Sequence, residues 1–129
     1  MNSKILLIED EDGLRQSLLM MLMAEGYEVV SAEDGSIGVD LAITELPDVI
    51  ICDLIMPRLC GDRVLDILRN EPVTEQTPFI CISSENQQTT PSPVKDLHQQ
   101  NYLQKPFSRT DLLGAIHRHL LPMTALATG

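Results

Sequence analysis

The chain has 129 residues, of which 43% are hydrophobic and only 3% are aromatic. This length suits one domain with a single core, which aliphatic side chains must fill. A formal net charge of −10 at pH 7 argues against a nucleic-acid surface, because such surfaces need clustered lysine and arginine. No segment reaches the roughly 18 apolar residues of a membrane helix, and the first residues lack a signal-peptide pattern. We therefore expect a cytoplasmic protein with no membrane segment.

Five strand-like runs alternate with five helix-like segments along the chain. The apolar runs that predict strands cover residues 5–8, 27–30, 49–52, 79–82 and 102–104. The segments that predict helices cover 12–25, 36–46, a stretch that begins at 61, 93–99 and a stretch that follows 108. This alternation predicts a parallel sheet with helices on both faces. The run at 49–52 is apolar without alternation, which is typical of a central parallel strand covered on both sides.

The segment between the fourth and fifth strands is the least regular of the predicted helices. Pro91 and Pro93 cannot both lie inside a helix, where each costs about 3 kcal/mol. Pro93 is acceptable as a first helical residue, with Ser92 as the cap. We therefore expect an irregular, mobile loop over 85–92 and a short helix over 93–99.

The last helix has a clear start signal. Ser108 is a helix cap, and Asp111 stands where a capping box needs its acid. The buried face of this helix is predicted from four apolar residues, Leu112, Leu113, Ile116 and Leu120. We expect one domain over residues 1–121 and a disordered tail or linker stub over 122–129.

Polar side chains follow four of the predicted strands at the point where each strand ends. These residues are Glu9, Asp10, Asp53, Ser83 and Lys105. The carboxyl ends of parallel strands meet at one edge of a sheet, which is where open α/β sheets bind ligands. Three carboxylates, a hydroxyl and an ammonium at one crevice suit a divalent cation and a phosphoryl group, with Asp53 as the central carboxylate.

These residues and their spacing resemble the receiver domains of two-component response regulators. The matching pieces are LLIEDED, VIICDLIMP, FICISS and YLQKPF, in the order that the family has them. The match runs from about Lys4 to Leu121. The resemblance implies a doubly wound, flavodoxin-like α/β fold, in which five parallel strands take the order 2-1-3-4-5.

The resemblance also implies a metal and a phosphoacceptor. Asp53 would be the nucleophile that forms an acyl phosphate. Mg²⁺ would be bound directly by Asp10 and Asp53, by the backbone carbonyl of Ile55, and through water by Glu9.

The remaining polar residues would respond to the phosphoryl group. Lys105 would contact a phosphoryl oxygen, and its bond to Pro106 is expected to be cis. Ser83 would donate a hydrogen bond to the same group. Tyr102 stands in the position of the family's aromatic switch residue.

The implied function is a phosphoacceptor switch. The domain would take a phosphoryl group from a sensor histidine kinase or a phosphotransfer protein and lose it to water. It would catalyse both steps on itself without being a conventional turnover enzyme. The surface of helix four, strand five and helix five would then change for an output domain or a target protein.

Two alternative functions remain open from the sequence. The first is an interaction module that keeps the fold but not the phosphorylation chemistry. The second is a flavin or nucleotide binder, although the acidic run from Glu9 to Asp12 would repel phosphate groups.

One departure from the family concerns the fourth helix. His98 stands where the family often has glycine, and the predicted helix is short. Many relatives dimerise through helices four and five, so we expect a monomer here, or a dimer through another face.

Overall fold

A computed structural model of the protein describes residues 2–120, in which five parallel strands form one sheet. The strand order is β2-β1-β3-β4-β5, as predicted. The strands are β1 (Lys4–Ile8), β2 (Glu28–Ala32), β3 (Val49–Asp53), β4 (Phe79–Ser83) and β5 (Tyr102–Gln104). The α-helices of this part of the chain are α1 (Asp12–Ala24), α2 (Gly35–Glu45), α3 (Gly61–Arg69) and α4 (Arg109–His117). The fold is therefore the doubly wound α/β architecture expected from the sequence.

Hydrophobic layers cover both faces of the sheet. Ile5 and Leu7 of β1 pack with the apolar faces of α1 and α4, whereas Leu6 and Ile8 pack with those of α2 and α3. Every residue of β3 and β4 is buried, as the continuous apolar run at 49–52 predicted for β3. The carboxyl end of β3 therefore lies at the centre of the sheet edge, between β1 and β4.

The helix ends follow from local side chains. Glu11 caps α1, where its carboxylate accepts the N–H groups of Gly13 and Leu14. The predicted capping box of Ser108 and Asp111 is present at the start of α4. None of the described helices is long and apolar enough to cross a membrane.

The predicted helix over 93–99 is wrong. Three short 3₁₀ turns lie between β4 and β5, at Gln87–Thr89, Val94–Asp96 and Gln99–Asn101, and the last two replace the predicted helix. Pro93, not Ser92, stands at the cap position of the second turn, and the Ser92 hydroxyl donates to the Asp96 carboxylate. Leu97 is extended and ends that turn at once, so the chain contains four of the five expected α-helices over the described residues.

A glutamine side chain holds these turns together. The amide of Gln87 donates to the carbonyl oxygens of Val94 (3.3 Å), Lys95 (3.5 Å) and Leu97 (2.8 Å). Val94 is fully buried, so these bonds fasten the turn to a point anchored in the core. The carbonyl groups that an α-helix would satisfy internally are satisfied here by a side chain.

The irregular loop expected over 85–92 is present, apart from its one 3₁₀ turn. Its mobility and the oligomeric state stay predictions. The end of the domain at residue 121 and the tail over 122–129 lie outside the described residues.

Candidate phosphoacceptor site

The sheet brings all the predicted polar residues to one edge. Glu9 follows β1, Asp53 ends β3 and Ser83 ends β4. Lys105 follows β5, and its backbone N–H donates to the Ser83 carbonyl at 2.7 Å. Glu9, Asp53 and Ser83 are buried, and Asp10 is half-buried.

Three carboxylates form a cluster at this edge. Oxygen atoms of Glu9, Asp10 and Asp53 all lie within 4.8 Å of one another. Of the Glu9 oxygens, Oε2 accepts the Glu11 N–H at 3.0 Å, whereas the buried Oε1 has no hydrogen-bond partner in the protein. A buried carboxylate oxygen without a hydrogen-bond donor is costly, and a bound cation would stabilise it. Carboxylate oxygens are also the ligands that Mg²⁺ prefers, so these residues fit that ion.

Burial changes the acidity of Glu9. The side chain is 0% exposed, and burial, the largest cause, raises the pKa of Glu9 to about 8. The neighbouring Asp53 carboxylate raises the pKa further, whereas the Glu11 N–H and the Lys105 charge lower it. The cluster therefore resists holding three negative charges at neutral pH.

Lys105 is the cation of the site. Its Nζ lies 2.9 Å from Oδ2 of Asp53 and 3.9 Å from Oε1 of Glu9. Partial burial is the largest influence and lowers the pKa of Lys105, but the hydrogen bond to Asp53 and the surrounding carboxylates together raise it. Lys105 therefore stays protonated. The bond between Lys105 and Pro106 is cis, as the resemblance implied.

The β3–α3 loop closes tightly behind Asp53. Oδ1 of Asp53 accepts the Ile55 N–H at 3.0 Å, and the Gly61 N–H donates to the Leu54 carbonyl at 2.7 Å. A Cβ atom on Gly61 would lie 2.6 Å from the Asp53 carbonyl oxygen, which only a shift of the backbone could relieve. The structure places Ile55 beside Asp53, and the role of the Ile55 carbonyl as a ligand stays a prediction.

The side chains of Ser83 and Tyr102 both form hydrogen bonds with the backbone of Glu85. The Ser83 hydroxyl oxygen accepts the Glu85 N–H at 3.0 Å, and the Tyr102 hydroxyl donates to the Glu85 carbonyl at 2.6 Å. A serine hydroxyl that accepts one bond still has its proton to donate. Tyr102 is 8% exposed, and burial is the main cause that raises the pKa of its hydroxyl. Glu85 therefore links the two expected switch residues through its backbone.

Arg15 is a residue at the site that the sequence reasoning missed. Its Nη1 donates to the Glu9 carbonyl at 2.9 Å, and its Nη2 pairs with Asp12 at 2.5 Å. The spacing of three residues from Asp12 to Arg15 on a predicted helix was the available signal.

Comparison with known proteins identifies the family of the chain. The family model for the response regulator receiver domain matches residues 5–117. The chain is 31% identical over 121 residues to Protein PilG of Pseudomonas aeruginosa, which covers 94% of this chain and 90% of PilG. It is 33% identical over 115 residues to Protein PilH of the same organism, covering 89% of this chain and 95% of PilH.

Solved structures share the fold. The chemotaxis protein CheY4 of Vibrio cholerae superposes with a TM-score of 0.78 at 30% identity, covering 93% of this chain and all of CheY4. The receiver domain of a Pseudomonas aeruginosa sensor histidine kinase superposes with a TM-score of 0.77 at 26% identity, covering 92% and 98% of the two chains. That structure has a magnesium ion coordinated in its active-site cleft. The family match over residues 5–117, together with these relatives, shows that the chain belongs to the response regulator receiver domains of two-component signalling.

Proposed function

We propose that this domain accepts a phosphoryl group on Asp53 from the phosphohistidine of a sensor histidine kinase or a phosphotransfer protein, with Mg²⁺ as the cofactor. The observation that carries the proposal is the setting of Asp53, which is 4% exposed and lies beside Lys105 and two further carboxylates. When all are ionised, three carboxylates and one ammonium leave two negative charges in the cleft. A divalent cation bound by Asp10 and Asp53, and by Glu9 through water, would neutralise them.

The transfer forms one bond and breaks another. An oxygen of Asp53 attacks the phosphorus as the phosphorus–nitrogen bond of phosphohistidine breaks, and the bonding electron pair stays on the imidazole nitrogen. When bound, Mg²⁺ would stabilise negative charge on the phosphoryl oxygens. Lys105 shifts from Asp53 Oδ2 to one phosphoryl oxygen, and the Ser83 hydroxyl donates a hydrogen bond to the phosphoryl group. Hydrolysis of the acyl phosphate then returns the domain to its starting state.

The same contacts support a switch. Movement of Ser83 towards the phosphoryl group alters its bond to the Glu85 N–H, and the carbonyl of Glu85 is the acceptor of Tyr102. Tyr102 lies on β5, which follows the segment 87–101 and precedes α4 in the chain. We propose that these three elements form the surface that a downstream output domain or target protein reads.

Acetyl phosphate labelling tests the acceptor. The wild type should gain one phosphoryl group in the presence of Mg²⁺, measured by intact mass, and hydroxylamine should remove it as expected for an acyl phosphate. Asp53→Asn should not be labelled, because an amide cannot act as this nucleophile. Asp66 is an exposed aspartate on α3, so Asp66→Asn is the matched control and should be labelled like the wild type. Full labelling of Asp53→Asn would show that another residue accepts the phosphoryl group. An unlabelled wild type would favour an interaction module without this chemistry.

A further inference from the structure

The β1–α1 loop places four acidic residues in a row, from Glu9 to Asp12. Neighbouring like charges repel one another, and this repulsion favours an open loop. The loop nevertheless holds oxygens of Glu9 and Asp10 within 4.8 Å of an Asp53 oxygen. Lys105 offsets part of this repulsion from the end of β5, and a contact within the loop would hold the acidic residues further.

Arg15 makes that contact at both ends of the acidic run. One arm of its guanidinium donates to the backbone carbonyl of Glu9, the first residue, and the other pairs with the carboxylate of Asp12, the last. Asp10 lies between the two clamped residues. The Arg15 side chain is only 12% exposed, whereas that of Asp12 is 84% exposed. The guanidinium is thus held against the protein and draws the exposed acid towards it.

The contact to Glu9 distinguishes positioning from simple charge balance. A cation that only neutralised the loop would need no bond to a backbone carbonyl, which has no net charge. The guanidinium has donors in a rigid planar fork, so it can fix two acceptors relative to each other. Arg15 also lies on the first turn of α1, where its N–H donates to the Glu11 carbonyl at 2.9 Å, so the fork is tied to a helix.

We propose that Arg15 is a positioning residue, whose guanidinium clamps the β1–α1 loop so that Glu9 and Asp10 face Asp53 in the arrangement that binds the divalent cation. The role in cation binding rests on the proposed function above. The role in holding the loop rests only on the contacts of Arg15.

Charge and positioning make opposite predictions for Mg²⁺ affinity. Arg15 is a positive charge near a cation site, so its removal should strengthen Mg²⁺ binding if charge is its only effect. Loss of the clamp should instead weaken binding, because the ligands are no longer held. Groups that orient metal ligands typically change metal affinity by at least about tenfold.

The experiment compares Arg15→Ala and Arg15→Lys with the wild type and with Arg63→Ala. Arg63 is an exposed arginine on α3 whose side chain makes no hydrogen bond or ion pair among the described residues, so it is the matched loss of one charge. Because the chain has no tryptophan, Mg²⁺ titrations should be followed by backbone amide shifts in NMR spectra. Both Arg15 variants should bind Mg²⁺ about tenfold more weakly, and Arg63→Ala should bind like the wild type.

Two titration results would overturn the proposal. One is equal or tighter Mg²⁺ binding in Arg15→Ala. The other is wild-type affinity in Arg15→Lys, which keeps the charge but cannot reproduce the fork.

Amide exchange without any divalent cation gives a second, independent readout. The Glu9 N–H donates to the Ala32 carbonyl and the Glu11 N–H to the Glu9 carboxylate, both at 3.0 Å. In Arg15→Ala these two amides should exchange about tenfold faster, while the amide of Ile51 in β3 stays protected and reports an intact fold. Unchanged exchange at Glu9 and Glu11 would refute the clamp. If the wild type does not bind Mg²⁺, the proposed function fails, and this exchange measurement still decides whether Arg15 holds the loop.

Discussion

Glu9 provides the most direct physical test of the acidic cluster, because it is a fully buried carboxylate with one oxygen that accepts no hydrogen bond from the protein. The pKa of Glu9 in the folded protein is raised to about 8 from the ordinary 4.5, chiefly by burial. Between these two values the folded protein binds more protons than the unfolded chain. Stability therefore falls as the pH rises from about 4.5 through about 8, and the contribution is fully retained only below the unfolded value.

The magnitude follows from the same shift. Each pH unit inside this window costs about 1.4 kcal/mol of stability, which gives an upper limit of roughly 3 kcal/mol at neutral pH. Local rearrangement and water entry recover part of that cost, so we expect Glu9→Gln to stabilise the cation-free protein by about 1–2 kcal/mol at neutral pH. For a chain of this size the melting temperature should rise by roughly 4–8 °C. The gain should shrink as the pH falls and disappear below about pH 4.5, where the glutamate becomes protonated in the unfolded chain as well.

Thermal denaturation in a chelating buffer, followed by circular dichroism from about pH 4 to about pH 8, measures this difference. Glu75→Gln is the control, because Glu75 is an exposed glutamate outside the cluster. It should follow the wild type at every pH. The reasoning from burial would be refuted if the difference in melting temperature between Glu9→Gln and the wild type did not change with pH. It would also be refuted if Glu9→Gln were the less stable protein at neutral pH.

Further outcomes concern the cation, the ammonium and the fourth-helix segment. Asp10→Ala should weaken Mg²⁺ binding by at least about tenfold in NMR titrations, because it removes a proposed direct ligand, and equal affinity would contradict the site. Lys105→Ala should still permit some phosphorylation of Asp53 but reduce the chemical-shift changes around Tyr102, and identical changes would exclude its coupling role. Gln87→Ala should speed amide exchange over 94–97 without loss of the fold, whereas an unchanged exchange rate would show that the glutamine amide does not hold that turn.

The sequence predicted the sheet and the convergence of the polar residues for a simple reason. Apolar runs that alternate with helical segments allow few arrangements of strands and helices. Parallel strands then place their carboxyl ends at one edge of the sheet. Glu9, Asp53, Ser83 and Lys105 then have to meet, whatever the details of their side chains. The capping box at Ser108 was equally readable, because its hydrogen bonds lie within four consecutive residues.

The fourth-helix segment could not be predicted because its structure depends on contacts between side chains and distant backbone groups. The rule that places Pro93 at the start of a helix says nothing about the Gln87 amide, which reaches carbonyls seven to ten residues away. The clamp of Arg15 was missed for a similar reason. Helical spacing shows its pairing with Asp12, whereas its bond to the Glu9 carbonyl depends on how the loop turns back. The burial of Glu9 could not be predicted either, because its position after a strand does not tell how deep its carboxylate lies.

The 3₁₀ turns between β4 and β5 have a consequence for how this surface can vary in evolution. An α-helix satisfies its backbone internally, so the side chains on its outer face are free to change. Here Gln87 holds the second turn, while the side chains of Asn86 and His98 accept backbone N–H groups at the starts of the first and third. Substitutions that adapted these positions to a new partner would also remove the bonds that shape the segment. New binding specificity should therefore arise more readily at neighbours whose side chains are exposed and not used in this way, such as Lys95.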